Sequence, residues 1–240
     1  MKWFSKKPAR PLLVDIHSHL IPGIDDGAST IDGSLEMIAL LQSIGFKKLI
    51  TTPHIHPKYP NKEDRIIDGL ADLRSAILKK GISGVEIGAA AEYYVTESFV
   101  NQLESGKKLL SFGDNYILIE CSFSVKPFFF ESVISKLKEY GYRPILAHPE
   151  RYRFLEGKIE WLHELKTTGL LFQITLSSLV GYYGDNPQKI GLELIKNGMV
   201  DFLATDLHRA SQVTFIKKGL QLRVVQNLLN SNDLMNEEML

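Results

Sequence analysis

The sequence predicts an α/β chain, a barrel of parallel strands wrapped by helices, on three observations. Seven short apolar, β-branched runs begin near residues 12, 47, 85, 116, 143, 170 and 201. Amphipathic stretches of helical period fill the gaps, so each repeat of roughly 27 to 38 residues holds a strand, a helix and two loops. All the runs but the sixth end at or just before a His, Glu or Asp. Strands across an open doubly wound sheet would not all aim at one place, whereas a barrel delivers every C-terminal strand end to a single mouth.

Taken in order, Leu12-Leu13-Val14-Asp15-Ile16 leads into His17-Ser18-His19, and the loop Pro22-Gly23-Ile24-Asp25-Asp26-Gly27 follows. Side chains at i and i+2 share a face of extended chain, so the two imidazoles point together. Asp15 lies on that face and is placed to fix an imidazole tautomer. Leu49-Ile50-Thr51-Thr52 precedes Pro53 and His54, with His56 as a competing candidate. Val85-Glu86-Ile87-Gly88 and a run of alanines precede Glu92. Glu120 ends the otherwise apolar Tyr116-Ile117-Leu118-Ile119, and a buried carboxylate there calls for a cation. Pro144-Ile145-Leu146-Ala147 precedes His148. The sixth run, from Leu170 to Thr175, carries no evident ligand. Phe202-Leu203-Ala204-Thr205 ends in Asp206 and His208.

Helical periodicity appears around Leu35–Gln42, Ile66–Ile77, Val133–Tyr140, Trp161–Leu165, Ile190–Ile195 and Ile216–Leu228. Gly45, Gly81, Gly141, Gly169 and Gly198 stand where helices should end before the next strand. One domain over 12–230 is expected, with residues 1–11 and 231–240 read as polar tails.

Lys plus Arg equals Asp plus Glu at 28 each, so no global field recruits nucleic acid or an anionic membrane. The lone Cys121 excludes an internal disulfide and a Cys-rich zinc site. It also excludes a Cys-x₅-Arg phosphatase loop, because the residue six after it is Pro127. No stretch reaches the ~18 apolar residues of a membrane span, and the start lacks a signal-peptide core. The cytoplasm is the expected compartment, and stable membrane insertion is not expected.

The ligand inventory is therefore His17, His19, Asp26, His54, Glu92, Glu120, His148, Asp206 and His208. Nine mixed nitrogen and oxygen donors exceed what one ion takes, so bridging carboxylates would serve two or three. Such a cluster suits hydrolysis by a metal-bound hydroxide. Without thiolates, Mn²⁺, Mg²⁺, Fe²⁺ and Zn²⁺ all remain open.

These motifs resemble the PHP (polymerase and histidinol phosphatase) family of metal-dependent phosphoesterases. Within it, Asp15-Ile16-His17-Ser18-His19-Leu20-Ile21-Pro22-Gly23-Ile24-Asp25-Asp26-Gly27 and His148-Pro149-Glu150-Arg151-Tyr152 resemble the bacterial protein-tyrosine phosphatases of capsule and exopolysaccharide clusters. The resemblance implies a distorted seven-stranded (β/α) barrel and a cluster of three divalent ions, Mn²⁺ foremost. It implies all nine ligands, with Asp26 rather than Asp25 from the loop. It further implies that Arg151 holds the phosphoryl group, with Asp206 and His208 also catalytic and Arg209 a weaker candidate for the arginine's task. The implied substrate is a tyrosine-phosphorylated protein, the tail of a bacterial tyrosine kinase controlling polysaccharide synthesis.

Aromatics gather after the strand ends, namely Tyr59, Tyr93, Tyr94, Phe123, Phe128, Tyr152, Tyr182 and Tyr183. Tyr93 and Tyr152 are candidates to contact substrate. The alternatives are a PHP enzyme acting on a small phosphate monoester such as histidinol phosphate, and a non-catalytic metal-binding scaffold. An amidohydrolase would also open with His-x-His, but it usually wants a strand-end lysine, and none is present. Composition does not specify an oligomeric state.

Overall fold

Nine short strands, every pair parallel, form two sheets in the computed structural model, which describes residues 10–155, 157–231 and 233–239. Residues 1–9 of the expected N-terminal tail lie outside the described residues. In chain order the strands are β1 (Val14–Asp15), β2 (Lys48–Thr51), β3 (His54–Ile55), β4 (Glu86–Ala89), β5 (Glu92–Tyr94), β6 (Tyr116–Glu120), β7 (Arg143–Ala147), β8 (Leu171–Thr175) and β9 (Phe202–Ala204). The smaller sheet runs β1-β2-β4 and the larger β3-β5-β6-β7-β8-β9.

Backbone bonds carry the parallel pairing through the breaks that divide β2 from β3 and β4 from β5. Thr52 N donates to Ser18 O at 2.7 Å, Ala90 N to Thr51 O at 2.9 Å and Glu92 N to Pro53 O at 3.1 Å. Past β9, Asp206 N donates to His17 O at 2.8 Å and His19 N to Leu207 O at 3.0 Å.

Strand alternation divides the core in two. Val14, Ile50, Tyr116, Leu118, Ile145, Ala147, Phe202 and Ala204 pack together inside the curve of the sheets. Ile117, Ile119, Leu146, Phe172, Ile174 and Leu203, of the opposite parity, join the larger cluster beneath the helices. The chain is thus an α/β fold with parallel sheets and a helical outer layer.

The helices are α1 (Ile31–Ser43), α2 (Glu63–Lys80), α3 (Glu97–Glu104), α4 (Phe130–Glu139), α5 (Ile159–Thr167), α6 (Asp185–Lys196), α7 (Val213–Gln221) and α8 (Arg223–Ser231). In α2 the stripe Ile66, Leu70, Leu73 and Ile77 is buried, and Gly81 ends the helix in the left-handed region at φ 72°. Periodicity did not reveal the eight-residue α3, whose start is set by Thr96 Oγ1 accepting from Phe99 N. The periodic run at 216–228 is two helices, because Leu222 is extended at ψ 134°.

The C-terminal tail reading is corrected by the structure. Asn236 is buried, accepting from Leu203 N and donating to Leu203 O and Val14 O, while Met239 joins the inner cluster. A single amide there replaces the ladder partners that β1 and β9 lack at the floor.

Candidate metal centre and active site

Eight of the nine expected ligands are carried at or just beyond a strand's C-terminal end, and Asp26 comes from the loop after His19. Glu92 stands at the centre. Its Oε2 lies 3.3 Å from His17 Nε2, 3.6 Å from His19 Nε2 and 3.0 Å from His54 Nδ1, and its Oε1 lies 3.0 Å from His148 Nε2. Glu120 Oε1 approaches His54 Nδ1 at 3.0 Å. Asp206 Oδ1 faces His17 Nε2 at 3.3 Å and both His19 Nε2 and His208 Nδ1 at 3.5 Å. Asp26 Oδ1 faces His54 Nε2 at 3.4 Å and His208 Nε2 at 3.6 Å.

Three overlapping triads result: His17, His19 and Glu92; His19, His54 and His208; His54, Glu92 and Glu120. Within each, the donor atoms lie within 4.8 Å of one another.

The donor set fits divalent cations. Glu92 Oε2, Asp206 Oδ1 and His54 Nδ1 are buried without a hydrogen-bond partner, an arrangement that is costly unless a cation takes the lone pairs. Imidazole with carboxylate and no thiolate is a borderline-to-hard donor set.

The protons respond to the same field. Burial pulls His17 down, but the charges of Glu92 and Asp206 outweigh it and raise its pKa to about 9. Burial and then the charge of Glu92 raise Glu120 to about 7, against the pull of His54. His148 drops to about 4 through burial and the Arg151 charge. Asp26 is held below the usual carboxylate range by His208 and His54.

Backbone geometry aims two of these side chains. His148 and Asp206 adopt left-handed conformations at φ 37° and 49°, uncommon for residues other than glycine. Simple alternation after Ala147, an inner residue, would send His148 toward the helices; the left-handed turn brings it into the mouth instead. Gly27 permits the close return of the Asp25-Asp26 loop, because a Cβ there would lie 2.3 Å from His19 O.

Asp25 and Asp26 divide the work. Asp25 Oδ2 lies 2.8 Å from His19 Nδ1 and accepts from His54 N at 3.2 Å, so Asp25 orients one imidazole while Asp26 faces two others. Asp15 does not fix an imidazole. Its carboxylate accepts from Thr205 N at 2.8 Å and Thr205 Oγ1 at 2.6 Å, fastening β1 to β9, and burial raises its pKa to about 6 against those bonds. The partner of His17 Nδ1 is Gln173 Oε1 at 2.8 Å, a residue the sequence reading passed over in the run without a ligand. Its signal was an amide at an inward position of an otherwise apolar strand.

Arg151, in the 3₁₀ turn Pro149–Arg151, reaches back so that Nη1 lies 2.5 Å from Asp206 Oδ2. The rings of Tyr183 and Phe123 rest 4.1 and 4.8 Å from its guanidinium carbon. The Tyr183 hydroxyl sits 3.4 Å from both Asp206 Oδ2 and Gln212 Nε2. Arg151, Phe123, Tyr183 and Pro187 line a cleft of about 630 Å³ that opens beside the cluster.

Other candidates stand elsewhere. Tyr93 is buried with its hydroxyl 2.7 Å from Leu110 N and 3.2 Å from Glu63 Oε1, on the face of β5 opposite Glu92, so it does not reach the mouth. Tyr152 is fully buried, and its hydroxyl accepts from Cys121 N at 3.2 Å; it backs the cleft wall and offers no polar group to a ligand. Arg209 is exposed on the rim and is not among the residues lining the cleft. His56 accepts from Lys58 N and meets the Tyr94 ring, outside the cluster. Cys121 is buried, and burial followed by the Glu120 charge pushes its thiol up to about 12, which removes it as a nucleophile.

Comparison with known proteins agrees with this geometry. The tyrosine-protein phosphatase YwqE of Bacillus subtilis is 32% identical over 210 residues, 85% of this chain and 80% of its own. The tyrosine-protein phosphatase CpsB of Streptococcus pneumoniae is 26% identical over 208 residues, 82% of this chain and 83% of its own. A solved structure from work on YwqE and CpsB, described as unique metal-dependent tyrosine phosphatases, superposes with a TM-score of 0.78 at 28% identity and 92% coverage of both chains. An amidohydrolase from Mycoplasma synoviae, 12% identical with a TM-score of 0.54 over 98% of this chain and 92% of its own, shares the fold alone. Residues 13–222 match the family described as capsular polysaccharide synthesis, CpsB/CapC, which bears out the resemblance in the motifs: this chain belongs to the CpsB/CapC family.

Proposed function

We propose that this protein is a metal-dependent protein-tyrosine phosphatase that hydrolyses phosphotyrosine to tyrosine and inorganic phosphate. The carrying observation is the set of buried, unbonded donors around Glu92 joined through Asp206 to Arg151 at the edge of a cleft. Named relatives with this activity along most of the chain support the reading.

The finer assignment is three divalent ions, Mn²⁺ foremost, held by His17, His19, Asp26, His54, Glu92, Glu120, His148, Asp206 and His208. The three triads sharing Glu92, His19 and His54 support it. The fold is read as a distorted seven-stave barrel, β2 with β3 and β4 with β5 being halves of two interrupted staves. When bound, the ions supply Lewis acidity that activates a water and neutralises phosphoryl charge.

The chain's own residues do the rest. Arg151 presents a guanidinium fork to the non-bridging phosphoryl oxygens, held over the mouth by Asp206 and the Tyr183 ring. Gln173 and Asp25 keep the second nitrogen of His17 and His19 bonded, leaving each Nε2 aimed at the centre. The departing phenolate is a good leaving group, so no dedicated acid is required, and the buried Cys121 forms no phosphoenzyme.

The names of the relatives support a tyrosine-phosphorylated protein as substrate, and we extend this to a bacterial kinase tail in polysaccharide synthesis, met in the cytoplasm. Among the described residues no helix is long and apolar enough to cross a membrane. Assay of phosphotyrosine and phosphoserine peptides with and without chelator tests the reading: chelator-sensitive release from phosphotyrosine is expected, and turnover of neither would defeat it.

A further inference from the structure

We infer that the loop following β6 is a docking surface for the polypeptide that flanks the phosphotyrosine, a proposal that rests on the phosphatase reading. Among the described residues, seven large hydrophobic side chains are exposed, and three of them, Phe123, Val125 and Phe128, fall within six residues of this loop. Phe128 is 86% exposed and Val125 67%. Exposed apolar side chains gathered in one loop mark a contact site more often than a lone exposed residue does.

The exposure belongs to a fixed loop. Ser122 Oγ accepts from Ser124 N and Val125 N at 3.3 and 3.4 Å, and Arg153 N donates to Phe123 O at 2.8 Å. Lys126 pairs with Glu131 at 2.7 Å and lies 4.7 Å from the Trp161 ring centre. With that lysine engaged, the lip offers little to anionic lipid and presents apolar side chains.

Continuity with the cleft names the occupant. Phe123 belongs to both, its ring against Arg151 and its backbone in the lip. A cleft of about 630 Å³ is of a size that encloses a drug-sized ligand, more than a phosphate group requires. A phosphotyrosine whose phosphoryl group meets Arg151 therefore brings its neighbouring residues across Phe123 toward Val125 and Phe128.

The test compares the full chain with the surface variant Val125→Ser/Phe128→Ala, loaded with Mn²⁺. Substrates are p-nitrophenyl phosphate and a phosphotyrosine peptide with apolar residues on both sides. The peptide's kcat/KM should fall roughly tenfold through KM, corresponding to the loss of one good apolar contact, while the small ester is unaffected. Equal kcat/KM for the peptide in both proteins would overturn the proposal. A parallel fall on both substrates would assign the loop a structural role and also overturn it. Sedimentation of both proteins completes the test: a wild-type dimer that the variant abolishes would give the surface to a second copy instead. Failure of the wild type on the small ester would count against the phosphatase reading itself, and the docking proposal would fall with it.

Discussion

Arg151 Nη1 and Asp206 Oδ2 stand 2.5 Å apart, while the second oxygen of the same carboxylate faces His17, His19 and His208. One carboxylate thus joins the Arg151 guanidinium to the cluster of imidazoles.

Arg151→Ala should lower kcat by roughly 10²-fold or more and leave the bound metal near wild-type stoichiometry. Arg151→Lys should recover only part of the loss, because an ammonium cannot reproduce the planar fork. Steady-state kinetics with elemental analysis of the purified variants checks this. Unchanged turnover would remove the arginine from its role.

Tyr183 should act through Arg151. Loss of its ring in Tyr183→Leu is expected to reduce kcat about tenfold, and Tyr183→Phe by much less, since the cation–π platform survives. A double-mutant cycle separates this from general damage. In an Arg151→Ala background, Tyr183→Leu should cost almost nothing further, whereas independent effects would add.

Gln173→Leu should weaken metal binding by roughly 10- to 100-fold, because His17 Nδ1 loses the partner that sets its tautomer. Titration of the apo-protein with Mn²⁺ gives the affinity directly. Wild-type affinity in the variant would show that His17 is oriented without it.

The cluster of imidazoles and carboxylates was legible in the sequence because its residues are polar at the ends of apolar strands, where an unpaired buried polar group is costly. Glu120 stands out by that contrast alone, whereas the histidines and Asp206 gain their weight from falling together at strand ends. The supporting contacts were less legible. Asp15 sits on the strand as a tautomer-fixing residue would, yet its bonds to Thr205 join strands 190 residues apart, a pairing no local pattern encodes. Tyr93 carried its own warning, since a residue next to Glu92 on a strand must face the other way. Asn236 looked like part of a polar tail because an amide that replaces missing ladder bonds has the same composition as one left in water.

Asn236→Ala should destabilise the fold by about 2–3 kcal/mol, since Leu203 N, Leu203 O and Val14 O would lose a buried partner. Urea unfolding monitored by circular dichroism reads this as a lower midpoint at unchanged slope. A midpoint equal to wild type would return residues 233–239 to the status of a tail.

Phosphate release from a phosphotyrosine peptide in Mn²⁺, repeated after EDTA, with a phosphoserine peptide and histidinol phosphate alongside, distinguishes a metal-dependent tyrosine phosphatase from its rivals. Release from phosphotyrosine should be rapid, abolished by chelator and restored by added metal, with the other two substrates slow. Turnover of phosphotyrosine that survives complete metal removal, or turnover of histidinol phosphate alone, would contradict that reading.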